Sequence, residues 1–443
     1  YPIYVHHMYI FDVLSFPFWL KAQGATTHGV CWPSCPRLFS GFFRKGLAGS
    51  GDVLRMGCAS SGQEVPKSRR RLTVGTDSGD AEPVRVGEEP ERGMLSAFNE
   101  ASLAELLTSQ MQGARRMSIG SGQDAGRESF VNKTMQQMGD DINPETACLG
   151  YTCRKGLKPE SPNQDSWFFL QVEDHFSLYA VFDGHGQAGH EVSLFVKDQL
   201  PKIMLLDDRF KKGSESWPEL LKDSFRKMQE LVEEADSKQT MRANLSGTTA
   251  TVALIDHAKN LCTVAHVADS VAVMGKEKDG IWEAQQLTRE HKPNLKDEKA
   301  RIEKAGGKVV YDGYANHRIY AGRNSKYPGL NMSRCLGDIM GHKKCGMTSE
   351  PDVTQFELKD ADKMLLLCSD GVWEFITPME AVKLCKAYRP EKAMDAATDL
   401  AKEAWDRWIE EEGGQVVDDI TVVLQYFKGK HKDAEPDEQS QPV

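Results

Sequence analysis

Three carboxylate sites stand at the tips of apolar runs. SLYAVF leads into Asp183-Gly184, KMLLLCS leads into Asp370-Gly371, and Asp418-Asp419 leads into ITVVLQYF. Two of these runs end in Asp and one begins with it. If the third is antiparallel to the others, all three carboxylates meet at one edge of a sheet. Carboxylates packed together repel strongly unless cations neutralise them. Oxygen donors without a His or Cys cluster select hard ions, Mg2+ or Mn2+. One Asp-Gly taken singly reads as a turn, but repeated at the tips of buried runs the turn reading weakens. A dinucleotide reading of Gly184-His185-Gly186-Gln187-Ala188-Gly189 (G-x-G-x-x-G, with Asp207 downstream) sets Asp183 against a pyrophosphate and leaves Asp370 and Asp418 unexplained. The chain has no G-x-x-x-x-G-K-[ST] loop, and His190-Glu191 lacks the second His of a zincin.

These carboxylates need rigid elements beneath them. The pattern predicts strands over Trp167–Val172, Ser177–Phe182, Thr249–Ile255, Leu261–Val267, Val271–Gly275, Lys363–Cys368 and Ile420–Phe427. It predicts helices over His190–Leu206, Pro218–Ser237, Asp297–Ala305, Pro378–Ala387 and Glu391–Glu411. Strands cluster with helices between the clusters, an α+β pattern of antiparallel sheets rather than strict βαβ alternation. His266 reads as a core histidine. Trp373, Trp405 and Trp408 read as packing residues. Residues 308–330 are the least regular stretch, either a flap beside the site or a surface loop.

Ordered motifs then carry a resemblance. Asn163-Gln164-Asp165, Val181 to Gly186, Ser246 to Ala250, Asp269-Ser270, His291-Lys292-Pro293, Glu298 to Gly307, Ser333-Arg334 with Gly337-Asp338, Ser369 to Trp373 and Asp418 to Thr421 resemble the metal-dependent type 2C Ser/Thr protein phosphatases. The resemblance covers roughly residues 147–428. It implies a sandwich of two antiparallel sheets flanked by helices, with a binuclear Mn2+ or Mg2+ site at one end. It implies hydrolysis of phosphoserine and phosphothreonine in proteins by direct attack of a metal-bridged water. Carried over by motif, Asp183 would bridge two ions, the Gly184 carbonyl would ligate one, and Asp370 and Asp418 the other. Asp165 would hold a water, Asp269 would lie near a third, weaker position, and His185 would be the general acid. The sequence departs from the family where an Arg usually holds the substrate phosphate, five residues before Asp165, because Glu160 stands there. Lys158, Lys155 and Arg154 are the replacement cations. Ala268 and Val271 also depart from the family's G-D-S-R-A. These departures motivate an alternative, a catalytically weak pseudophosphatase acting as a scaffold.

The sequence divides into four parts. Residues 1–55, which open with Tyr, read as a non-native or over-extended gene-prediction segment. Residues 56–142 read as a mostly disordered tail with a short helix from about Ser96 to Met111. Residues 143–430 form the catalytic domain and 431–443 an acidic tail. If translation starts at Met56, Gly57 is a myristoylation acceptor and Cys58 a palmitoylation candidate, with Lys67, Arg69, Arg70 and Arg71 close behind. That start implies a cytoplasmic protein held to a membrane surface; any other start implies cytosol or nucleus. Arg115-Arg116-Met117-Ser118 marks Ser118 as a phosphorylation candidate. A net charge of −10 and pI near 5.7 argue against nucleic acid as a partner, and a monomer is expected. Ten cysteines, none in a C-x-x-C pair, suit reduced core thiols.

Overall fold

A computed structural model of the chain describes residues 102–110, 114–123, 128–140, 143–157, 162–313, 316–322 and 324–427. Gly57, Cys58, Lys158 and Glu160 lie outside them. The longest apolar runs become strands buried on both faces, which is why they read as nearly continuous hydrophobic text. Strand β4 (Ser166–Val172) sends Trp167 and Phe169 to one face, and Phe168, Leu170 and Val172 to the other.

The described residues build two large antiparallel sheets. One runs β16 (Asp352–Glu357), β9 (Leu261–Val267), β8 (Ala250–Asp256), β5 (Phe176–Phe182), β4, β1 (Arg116–Ser121), β2 (Met135–Gly139). The other runs β11 (Ile281–Gln286), β10 (Val271–Lys278), β17 (Asp362–Cys368), β18 (Ile420–Tyr426), β3 (Leu149–Arg154). Between them lie Tyr151, Trp167, Tyr179, Met274, Leu367 and Val423. Helices α1 (Leu103–Gln110), α3 (Gly189–Leu206) and α5 (Trp217–Ser237) cover the first sheet. Helices α9 (Pro378–Cys385) and α10 (Ala393–Glu411) cover the second. This is the expected α+β sandwich flanked by helices.

Two small sheets complete the fold: β12 (Lys308–Tyr311), β13 (His317–Tyr320) and β14 (Pro328–Leu330), and then β15 (Leu336–Gly337), β7 (Ser246–Thr248) and β6 (Gly184–Gly186). The shorter helices are α2 (Pro144–Ala147), α4 (Asp208–Lys212), α6 (Lys296–Lys304), α7 (Ile339–Cys345) and α8 (Asp370–Trp373).

The amino-terminal region departs from expectation. β1 and β2 form a hairpin, and β1 pairs with β4 through Ser118↔Leu170 and its neighbours. The folded domain therefore starts before residue 143 and takes in part of the expected tail. The hairpin escapes sequence reading because every residue of β2 (MQQMG) is exposed, which leaves no apolar alternation. Ser118 is correspondingly not a surface acceptor. It is 3% exposed in a strand paired on both sides, so a kinase cannot reach it in the folded domain. Of the expected short helix, Leu103–Gln110 is present as α1, with Leu103 and Leu107 buried on its own domain, and residues 96–101 lie outside the described residues.

Candidate active site

Strand pairing brings the carboxylates together. β18 runs antiparallel to β17, with Cys368 opposite Val422, so the residues just after β17 and just before β18 share one end of the sheet. β4 and β5 are antiparallel, with Ser166 opposite Phe182, so Asp165 and Asp183 share one end of the other sheet. Across the sandwich these four positions form one cluster. Asp183 is pushed well above the ordinary carboxylate range, by burial first and then by the charges of Asp370, Asp165 and Asp418. Asp165 is pushed up to about 7 by burial and then by Asp419.

The backbone around the cluster is tightly fixed. A Cβ on Gly371 would lie 2.0 Å from the Asp419 carbonyl oxygen, so only glycine lets the Asp370 and Asp418 turns pack together. A Cβ on Gly184 would lie 2.5 Å from the carbonyl oxygens of Gln164 and Gly189. Asp419, whose charge bears on Asp165, is held by two backbone amides. It accepts from the Gly156 and Gln164 amides at 2.8 and 2.7 Å and ties the two sheets at this end. The Asp183 amide donates to Thr249 Oγ1 at 2.9 Å, and Thr248 Oγ1 donates to the Asp183 carbonyl at 3.0 Å. From α10, Trp408 Nε1 donates to the Gly371 carbonyl at 2.8 Å, anchoring the turn that carries Asp370.

Asp165 is held from three sides. Ser369 Oγ and Thr421 Oγ1 donate to its Oδ2 at 2.8 and 2.6 Å. Lys133, from the hairpin region, is 5% exposed and donates to the Asp165 and Asn163 carbonyls at 2.5 and 3.1 Å. Asp165 Oδ1 is buried with no hydrogen-bond partner. A cluster of repelling carboxylates, with one oxygen left bare, fits divalent cations, and its all-oxygen donor set suits hard ones.

His185 sits beside the cluster on β6. Its Nε2 lies 2.5 Å from Asp338 Oδ2, and its Nδ1 is buried without a partner. Burial disfavours charge on this imidazole, but Asp338 outweighs it and raises the His185 pKa. Asp269 pairs with Lys292 Nζ at 2.6 Å. Asp338 and Lys133 received no role from the sequence. Asp338 is separated from His185 by 153 residues, and Lys133 stands in unremarkable polar text.

The replacement phosphate cations are engaged elsewhere where they are described. Arg154 donates to Thr152 Oγ1 and the Phe130 carbonyl, both at 3.0 Å, and its guanidinium lies 4.7 Å from the Phe130 ring centroid. Lys155 is buried, with Nζ on the Gly156 carbonyl at 3.2 Å. Ala268 adopts φ +73°, a left-handed conformation that favours the glycine found in the family's pattern.

A second cluster, His266, His291 and Asp352, is not built for a cation. The His266 and His291 rings stack at 4.6 Å, His266 Nε2 contacts the Arg289 carbonyl at 2.8 Å, and the Ala268 amide donates to His291 Nδ1. Arg334 donates to Asp352 at 2.8 Å, and Arg289 Nε lies 3.3 Å from it. His266 is thus a hydrogen-bonded core histidine.

Comparison with known proteins agrees with this architecture. The family model described as "Protein phosphatase 2C" matches residues 156–412. The chain is 34% identical over 258 residues to probable protein phosphatase 2C 61 of Arabidopsis thaliana, covering 58% of this chain and 77% of that one. It is 33% identical over 325 residues to probable protein phosphatase 2C 48 of Oryza sativa subsp. japonica, covering 68% and 85%. Its fold is similar to the crystal structure of serine-threonine phosphatase 2C from Toxoplasma gondii, with TM-score 0.56, 21% identity, and coverage of 63% of this chain and 94% of that one. The sandwich, the carboxylate cluster at its end and the match across 156–412 lead to one conclusion: the chain belongs to the protein phosphatase 2C family, whose members are metal-dependent Ser/Thr phosphatases.

Proposed function

We propose that this chain is itself an active protein phosphatase, hydrolysing phosphoserine and phosphothreonine with two Mn2+ or Mg2+ ions. The observation that carries the reading is the buried carboxylate cluster beside a histidine already paired with Asp338. Asp183, the Gly184 carbonyl, Asp370 and Asp418 would hold the ions, with Asp165 one water further out and Asp269 near a third position. Bound there, the ions supply an activated water nucleophile and neutralise charge on the phosphoryl oxygens.

The chain's own part is orientation and proton transfer. Asp338 fixes His185 through Nε2, leaving Nδ1 to deliver a proton to the departing serine or threonine oxygen. General acid catalysis of this kind is worth ~10²–10⁴-fold. The Asp338 carboxylate raises the His185 pKa and so favours its proton-bearing form. With Arg154 and Lys155 committed elsewhere, we assign the substrate phosphate contact to Lys158.

The test is phosphate release from a phosphothreonine peptide by the full chain, with and without Mn2+, for wild type and Asp183→Ala. Mn2+-dependent turnover lost in the variant supports the reading. A folded wild type with no turnover at any Mn2+ concentration refutes it and favours the scaffold alternative. Membrane tethering is a separate proposal resting on the motif at Gly57 and Cys58. Translated from Met56, the chain should incorporate labelled myristate, and Gly57→Ala should abolish it.

A further inference from the structure

A second donor set lies beside the oxygen-only cluster, and its chemistry is different. His185 Nε2, Cys335 Sγ and a carboxylate oxygen of Asp338 all lie within 4.8 Å of one another. The Cys335 thiol donates to Asp338 Oδ2 at 3.2 Å. His342 Nε2, 4.0 Å from the same sulfur, is held 3.2 Å from the Cys335 carbonyl and stands outside this trio. Cys335, Asp338 and His342 come from one short stretch, Cys-x-x-Asp-x-x-x-His. Asp338 is the N-cap of α7 and His342 sits one turn on, so the two share a helix face. Cys335 and Asp338 are 0% and 1% exposed, and Asp338 Oδ1 is buried with no hydrogen-bond partner.

We propose that His185, Cys335 and Asp338 form an open three-ligand site for Zn2+, and that its occupancy withdraws His185 from proton transfer. An imidazole, a thiolate and a carboxylate are three protein ligands of an open zinc site. Bonds of about 2.0–2.3 Å put tetrahedral ligands roughly 3.3–3.8 Å apart. The sulfur's 3.2 Å spacing to Asp338 lies at the edge of that range, while the 2.5 Å His185–Asp338 pair must open by about 1 Å. Binding releases to solvent both the thiol proton and the proton that His185 Nε2 shares with Asp338, so the ring loses the charge that makes Nδ1 a proton donor. The neighbouring carboxylates select hard ions, so the two sites sort metals by softness. Zinc bound here would slow the reaction without displacing Mn2+ from Asp183, Asp370 and Asp418.

The inference goes beyond phosphatase activity, and its primary test needs no turnover. The full-length metal-free chain is titrated with Co2+ as a spectroscopic stand-in for Zn2+. The readout is the near-ultraviolet thiolate-to-cobalt charge-transfer band, which oxygen ligands do not give. The expected result is a band in wild type that Zn2+ displaces, is absent in Cys335→Ser, and forms with weaker cobalt affinity in His185→Gln. Serine keeps a donor to Asp338, and His185→Gln keeps the thiol, so a folding defect in one variant leaves the other informative. No band in wild type, or a band that persists unchanged in both variants, overturns the proposal. Where the chain turns over, the half-inhibitory Zn2+ concentration, relative to each variant's own Mn2+-supported rate, should rise roughly 100-fold in Cys335→Ser. Even outer-shell partners are worth about 10–100-fold in metal affinity. An intact band with no Mn2+-dependent turnover would instead refute the proposed function alone.

Discussion

Lys133→Met probes how far the site depends on chain outside the family match. Lys133 is 5% exposed, and its ammonium donates to the Asp165 and Asn163 carbonyls. Methionine keeps most of the aliphatic stem and removes the donors. Two hydrogen bonds from a charged donor are worth roughly 3–6 kcal/mol together, and removing a buried ammonium returns part of that, which leaves a loss of about 2–4 kcal/mol. Loosening the loop that carries Asp165 should also raise the Mn2+ concentration for half-maximal turnover by about tenfold, the lower end of what outer-shell partners supply. Urea unfolding of the metal-free full chain reads the first quantity, and Mn2+ titration of phosphate release reads the second. A chain begun at Asn143 would lose Lys133 together with Phe130, whose ring packs at a tilt against Trp405 with centroids 4.8 Å apart, and should fare worse than the point variant. A variant within 0.5 kcal/mol of wild type, with unchanged Mn2+ dependence, would show that the hairpin is a bystander and that this reasoning is wrong.

Other outcomes follow from the same geometry. Asp183→Asn should raise the metal-free melting temperature, because it removes a carboxylate whose ionisation burial and Asp370 oppose; it should also abolish the gain on adding Mn2+, which at a hundredfold excess over Kd is about 2.7 kcal/mol in wild type. Melts with and without Mn2+ decide this, and an unchanged Mn2+ gain would remove Asp183 from the metal site. Burial and then His291 hold His266 down to about 4 from an ordinary 6.5, a gap worth about 3 kcal/mol. Both states are neutral above pH 6.5, and only the unfolded chain takes the proton between about 6.5 and 4, so stability should fall as pH drops through that window. His266→Gln should flatten that limb of a pH series of urea midpoints. Trp408→Phe bares the Gly371 carbonyl and should lose about 1–3 kcal/mol while weakening Mn2+ dependence, as chemical unfolding and metal titration would show.

Much of this was legible in the sequence because burial writes itself into residue order. The runs ending at Phe182 and Cys368 are apolar throughout because both faces are covered, and their terminal Asp residues could be read as converging once antiparallel pairing was assumed. The helices over His190–Leu206 and Pro218–Ser237 appear nearly as expected, as α3 and α5. Illegible were features whose cause lies far along the chain. β2 has no buried face, so it has no period. Lys133 and Asp338 act on residues 30 or more positions away. Ser118 satisfied a local kinase pattern, but its accessibility is decided by β4, some fifty residues on.

The glycine contacts around the carboxylates have a wider consequence. Gly371 against the Asp419 carbonyl, and Gly184 against those of Gln164 and Gly189, mean that main chain rather than side chain sets where the acidic residues stand. The site is a mould cast in backbone, and the carboxylates are fittings mounted on it. Fittings can be exchanged one at a time without recasting the mould, so loss of metal and loss of fold are separable events. A chain stripped of these carboxylates would keep this end of the sandwich intact and would regain its donor set by restoring a few side chains.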